Sequence, residues 1–386
     1  MSYIEDRVVH DADAHVMETA DWLDAFLEQD VAQPVREMIA RGFGEMRSEH
    51  VAKAIAAQDD PELRGRDAQE FMARKNYLAI GATRKADRGH LLDLLGVASQ
   101  LVFPTYYNVM LETLELGDDM DLLYGTAAAV NRSQVDFCAV DRRLLPVGYV
   151  PLADLERAPA AGKQAIEMGC SALLVPWHCP RNHATSHVAL DALWAQAQEA
   201  GIPILFHVGL ADRVLPAAHK NNGMPAVPDF HGGDENFRSI SYMGIPAGPQ
   251  LALSMLILDG VLDRFPKLKI GVIELGAVWV PGFMRQLDSA MEAFSRLEER
   301  LQGLSLKPSE YVTRQVRVTP YPTEPTGWII EQAGPEVCMF SSDYPHVEGG
   351  RNPYGRFERS TEGTSAVAMD GFYRYNFEDL MGSQLP

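Results

Sequence analysis

The run Val8-Val9-His10-Asp11-Ala12-Asp13-Ala14-His15-Val16 decides how the rest of the chain is read. It opens as a short strand just after the N-terminus and ends in polar side chains. Side chains alternate along a strand, so Asp13 and His15 point the same way. Their Cα atoms then sit roughly 6.5–7 Å apart, close enough for a carboxylate oxygen and an imidazole nitrogen to meet on one ion. Taken alone, 11–15 reads more simply as a solvated strand end. What raises its significance lies far downstream.

From Ser99-Gln100-Leu101-Val102-Phe103-Pro104 onward a beat sets in. Further strand-like runs fall at 144–151, 172–176, 203–208, 269–275, 316–319 and 337–341, with helical patterns such as 160–168, 190–200 and 250–265 between them. Short, near-continuous apolar strands alternating with helices indicate a parallel sheet covered on both faces. With the opening strand the count reaches eight, which predicts an α/β fold of the (β/α)8 TIM-barrel type. No G-x-G-x-x-G follows the first strand, which weakens a dinucleotide fold. The 386 residues are expected to form a single barrel domain, 1–386, with additions.

Two stretches break the beat. The first, 18–89, is polar and helix-forming; Ala20-Asp21-Trp22-Leu23-Asp24-Ala25-Phe26-Leu27 carries apolar residues at helical spacing. Polar breaks are expected at Arg41-Gly42-Phe43-Gly44 and Gln58-Asp59-Asp60-Pro61. This helical insertion after strand one reads as a lid or a subunit contact. A later helix is expected to stop at Gly96. The second stretch, 210–249, is rich in Gly, Pro, Asn and His and reads as a lid-like loop after strand five. The tail after Tyr344 reads as a final loop and closing helices.

Composition bounds the function. A net charge of −19 with a pI near 5.0 argues against nucleic acid and against an anionic membrane surface. The four cysteines, Cys138, Cys170, Cys179 and Cys338, show no close paired spacing, as expected of a reducing compartment. The N-terminus has no basic region followed by an apolar stretch, and no apolar run of about 18 residues is apparent elsewhere. A cytoplasmic protein is expected, acting on a small molecule as a homo-oligomer (a dimer).

Barrel strands converge at their C-terminal ends on one mouth, where catalytic groups gather. Strand one ends in Asp13 and His15. Strand five, Pro203-Ile204-Leu205-Phe206-His207, ends in His207. Strand six carries Glu274, and strand eight, through Ser341-Ser342, ends in Asp343, with His346 just beyond. Each has a structural reading by itself: a hydrogen-bonded His, an acid paired with an Arg, an Asp at a turn. Together they put three carboxylates and two imidazoles at one mouth with no Lys or Arg near them on those strands. Burying such charge unpaired costs several kcal/mol per ion, and a divalent cation removes the penalty. Imidazole and carboxylate suit Zn, Fe or Mn, as one ion or two.

These strand ends resemble the amidohydrolase superfamily, in the branch related to aminocarboxymuconate semialdehyde decarboxylase. The matching motifs are Asp13-Ala14-His15, Phe206-His207-Val208-Gly209 and Ser342-Asp343-Tyr344-Pro345-His346. The resemblance covers nearly the whole chain and implies Asp13, His15, His207 and Asp343 as metal ligands. Three departures stand out. Strand one has Asp-x-His where many members have His-x-His. Strand six has Glu274 where the decarboxylases usually place a His. Strand four has Trp177-His178 in place of a carboxylated Lys.

With Glu274 the site has less positive charge for a substrate carboxylate and more capacity for a second cation. Hydrolysis of an acyl substrate (amide, ester, thioester or lactone) is then the simpler expectation, since metal coordination lowers the pKa of water to about 7. Asp343 would ligate the metal and take or relay the proton, with Glu274 beside it. His346 or His178 would orient the substrate or protonate the leaving group. The alternative is nonoxidative decarboxylation of an aromatic or unsaturated acid. Outside these stand a cysteine hydrolase using Cys179, a phosphate or flavin barrel using Glu348-Gly349-Gly350-Arg351, and a ligand-binding barrel without turnover. No G-x-S-x-G elbow is present. Phe71, Tyr77, Phe230, Phe237, Tyr242 and Met243 are candidates to line a pocket for an aromatic or other bulky acyl group.

Overall fold

The expected strands assemble into one curled parallel sheet. The computed structural model describes residues 2–178, 182–209, 217–225 and 239–386. Its strands are β1 (His10–Asp11), β2 (His15–Val16), β3 (Ser99–Pro104), β4 (Leu144–Tyr149), β5 (Ala172–Leu174), β6 (Ile204–His207), β7 (Ile270–Ile273) and β8 (Val316–Val318). The order is β1-β3-β4-β5-β6-β7-β8, all pairs parallel, with β2 also on β3. Every residue of β3 to β8 is buried, which is why these runs are near-continuously apolar.

The opening strand is two short pieces, interrupted at 12–14. The expected eighth strand, 337–341, forms isolated bridges instead of a ladder, Val318 to Cys338 and Ala14 to Tyr344. Backbone hydrogen bonds still tie it to both edges: Met339 N donates to Val318 O at 2.9 Å, and Ala12 N donates to Phe340 O at 3.1 Å. A ladder stops there because Phe340 N donates to Phe372 O in the C-terminal helical region instead. The result is the curled parallel sheet of a TIM-barrel-type α/β fold.

Between β2 and β3 lie the helices Gln29–Ala57, Pro61–Arg64, Asp67–Glu70 and Lys85–Leu95. The 20–26 stretch is a series of turns, with Trp22 N donating to Thr19 O and Phe26 N to Leu23 O. The break expected at 41–44 is absent, and the helix runs through it. Gly42 lies where any Cβ would strike the Tyr106 hydroxyl, so it serves close packing. The break at 58–61 is present, with Asp60 capping the next helix. Gly96 ends Lys85–Leu95 in the left-handed region at φ 79°.

The expectation of no apolar run of about 18 residues also needs correction. The stretch Ser239–Leu258 has a mean hydropathy of 1.2 over a membrane-spanning length. It is two helices, Ser239–Gly244 and Ala247–Leu258, separated at Ile245-Pro246. Ala252, Leu253, Leu256 and Ile257 on the second are buried in the core.

Candidate metal centre

Six side chains from four strand ends meet at the C-terminal edge of the sheet. Asp13 and His15 come from the opening strand, His207 ends β6, Glu274 follows β7, and Asp343 and His346 follow the bridging segment. His15 Nε2 lies 3.2 Å from Asp13 Oδ1, 3.8 Å from Asp343 Oδ1 and 3.9 Å from Glu274 Oε2. His207 Nε2 lies 3.5 Å from Asp13 Oδ1 and 3.3 Å from Glu274 Oε2. Two overlapping groups, Asp13/His15/His207/Glu274 and His15/Glu274/Asp343/His346, each place one ligand atom per residue within 4.8 Å of the others.

The cluster fits a divalent cation on a direct structural test. Asp13 Oδ1 and Oδ2, His15 Nε2, His207 Nε2 and Asp343 Oδ2 are buried and make no hydrogen bond among the described residues. Buried polar atoms are normally satisfied, and each orphan costs about 1–3 kcal/mol. A cation in either group relieves the atoms that ligate it. His207 is set up for this, since its Nδ1–H donates to the Val208 carbonyl at 2.9 Å and leaves the Nε2 lone pair facing the cluster. Burial, then the neighbouring His346, pushes His15 down to about 4, so it is a neutral donor at pH 7.

Burial is graded. Asp13 is 0% exposed and His15 1%, whereas Glu274 is 5%, Asp343 6% and His346 9% exposed. The approach to the centre is therefore on the Glu274, Asp343 and His346 side. His346 Nδ1–H donates to Asp343 Oδ1 at 3.0 Å, and the Thr105 hydroxyl meets His346 Nε2 at 3.1 Å. Glu274 and Asp343 occupy left-handed backbone at φ 54° and 51°, a strain of about 1–3 kcal/mol each that is typical of functional positions. Surrounding bonds hold them: Thr319 Oγ1 accepts Glu274 N, the Tyr321 hydroxyl donates to Glu274 O, and Asp343 N donates to Asp13 O.

Behind the centre lies a relay that the sequence reading missed. Asp11 Oδ2 accepts Gln100 Nε2 at 2.7 Å, and Gln100 Oε1 accepts Arg88 Nη2 at 2.7 Å. Arg88, fully buried, also donates to the His15 carbonyl. Burial pushes Asp11 up to about 6 against the hydrogen bonds from Ser342 and Gln100. A signal was available, because Asp11 shares the two-residue period of Asp13 and His15.

His178 lies outside both groups; its ring packs edge-on against Trp177, centroids 5.7 Å apart. Cys179, Phe230 and Phe237, with much of 210–249, lie outside the described residues. Phe71 and Tyr77 belong to the core, Tyr242 packs at a tilt against Tyr321, and Met243 is exposed.

A curled parallel α/β sheet with buried imidazoles and carboxylates gathered at its C-terminal edge defines a metal-dependent enzyme of the amidohydrolase superfamily. The chain belongs to the Amidohydrolase family, in its amidohydrolase 2 form, whose profile matches residues 10–366. It is similar to Decarboxylase orsB of Emericella nidulans, 27% identical over 256 residues that cover 62% of this chain and 70% of that protein. The fold is shared with amidohydrolase map2389c from Mycobacterium avium subsp. paratuberculosis K-10, at a TM-score of 0.73 and 20% identity, covering 98% of this chain and 100% of that one. It is also shared with 5-carboxyvanillate decarboxylase from Novosphingobium aromaticivorans DSM 12444, complexed with manganese and 4-hydroxy-3-methoxy-5-nitrobenzoic acid. There the TM-score is 0.63 and the identity 18%, covering 97% of this chain and 96% of that one.

Proposed function

We propose that this chain is a metal-dependent, nonoxidative decarboxylase of an aromatic or unsaturated carboxylic acid. The carrying observation is the buried imidazole and carboxylate cluster in a chain whose curated relative is a decarboxylase. The shared fold of a manganese-containing decarboxylase supports the same reading. The reading takes 1–386 as one (β/α)8 barrel domain, supported by the ties of 337–344 to both sheet edges.

Asp13, His15, His207 and Asp343 would hold the cation, with Glu274 at the same centre; manganese suits this donor set. When bound, the cation supplies Lewis acidity toward a substrate oxygen. The remaining chemistry falls to the Asp343–His346 pair, which faces the approach and holds a proton between Oδ1 and Nδ1. Transfer of that proton to the carbon bearing the carboxylate forms the new C–H bond. The bond from that carbon to the carboxylate then breaks, its electron pair returns to the unsaturated system, and carbon dioxide leaves.

Hydrolysis is the second reading, favoured by Glu274, whose Oε2 sits 3.3 Å from His207 Nε2 at a position where the decarboxylase branch usually has a His. In it Asp343 takes the proton of water, and His346 or His178 protonates the leaving group. One assay separates the two. Manganese-loaded protein is given a panel of hydroxylated benzoates and, separately, acyl substrates. Carbon dioxide released one for one with acid consumed supports decarboxylation; acyl cleavage with no carbon dioxide from any acid overturns it.

A further inference from the structure

The decarboxylase reading explains the carboxylates and imidazoles but leaves one cation at the approach without a role. Lys75 Nζ is buried and makes no hydrogen bond or ion pair among the described residues. The charges acting on it are Asp343 and Glu348, which attract it, and Arg351, which repels it. Lys75 therefore lies beside the Asp343 side of the centre, the side from which a ligand arrives.

Its position is enforced by the backbone. Asn76 N donates to the Pro345 carbonyl at 2.9 Å, docking this segment onto the stretch between Asp343 and His346. Asn76 is left-handed at φ 52°. Among the described residues, the non-glycine positions with positive φ are Asn76, Glu274 and Asp343, so this strain is confined to the centre and the segment that presents Lys75. An ammonium held out of water with no partner costs several kcal/mol. Desolvation also pushes Lys75 down to about 8. A partner that arrives with the substrate removes that cost.

We infer that Lys75 is the anion anchor of the site, binding an anionic oxygen group, carboxylate or phenolate, of an aromatic acid. This deepens the proposed function and rests on it for the aromatic class. The neutral acyl substrates of the hydrolase reading give Lys75 nothing to bind.

The test uses 4-hydroxy-3-methoxy-5-nitrobenzoic acid, its binding to manganese-loaded full-length protein followed by titration calorimetry. Its methyl ester lacks the carboxylate, and the ester with the phenol also methylated has no anionic oxygen. Lys75→Met is expected to weaken the acid by tenfold or more and to leave the fully methylated compound unchanged. Lys75→Arg is expected to keep most of the affinity. Loss confined to the acid assigns the carboxylate; equal loss for acid and ester assigns the phenolate. Manganese content and thermal midpoint are expected to stay at wild-type values in both variants. Three results would overturn the anchor: no binding of the acid to the wild type, an unchanged acid affinity in Lys75→Met, or equal weakening of the fully methylated compound. If Lys75-dependent anion binding is found but no acid releases carbon dioxide, the anchor stands and the decarboxylase reading falls.

Discussion

Ser342 donates twice to Asp11, 331 positions away: its backbone N–H to Oδ1 at 2.8 Å and its hydroxyl to Oδ2 at 2.6 Å. The residue before Asp343 is thereby tied to the strand that carries Asp13 and His15. Asp11→Ala strands the Ser342 and Gln100 donors and loosens two ligand-bearing segments together. We expect a loss of about 2–4 kcal/mol in urea unfolding and a manganese affinity lower by about 10–100-fold. Unchanged manganese binding would show that the relay does not position the ligands.

Glu18 supplies the pH dependence. Its buried carboxylate accepts the N–H groups of Thr105 and Tyr106 at 2.9 Å each, at the start of the helix Tyr106–Leu114. Burial nevertheless pushes it up from 4.5 to about 7. Below pH 4.5 both folded and unfolded chains hold the proton; between 4.5 and 7 only the folded chain keeps it. Its stabilising contribution is therefore lost as pH rises through about 7. Relative to Glu18→Gln, wild-type stability should fall by roughly 3 kcal/mol across that window. Parallel stability profiles for the two proteins would refute this.

Metal removal should be visible in folding as well as in turnover. With a cation at about 100 times its dissociation constant, binding stabilises by about 2.7 kcal/mol. Chelation is expected to lower the thermal midpoint and manganese to restore it, with neither effect in Asp13→Asn. Glu274→His is expected to retain one ion per chain by elemental analysis while weakening any second site. A variant that binds no metal would place Glu274 among the indispensable ligands.

Gly209, two residues after His207, has no room for a side chain. A Cβ there would overlap the buried Glu112 carboxylate. Gly209→Ala should cost about 1–3 kcal/mol and shift the His207 backbone, lowering manganese affinity as well. Wild-type stability and affinity in this variant would mean that Glu112 relocates freely.

Much of the sheet was legible because burial on both faces demands continuous apolar runs, and helices between such runs demand parallel pairing. The expected runs at 99–104, 144–151, 203–208 and 269–275 contain β3, β4, β6 and β7. The interruption between β1 and β2 was not legible, since it depends on Asp13 lying among groups from two other chain segments. Gly42 and Gly44 read as a break because propensity is local; the helix is kept by packing, at Gly42 against Tyr106.

By itself, the sequence determined which strand ends carry acids and imidazoles, because side-chain alternation and apolar runs are properties of neighbouring residues. Tertiary structure alone decided which of these groups share one ion-sized space, that Arg88 and Gln100 support them through Asp11, and that Lys75 reaches the approach. Those relationships join residues tens to hundreds of positions apart, and no periodicity along the chain encodes a distance that exists only once the sheet has curled.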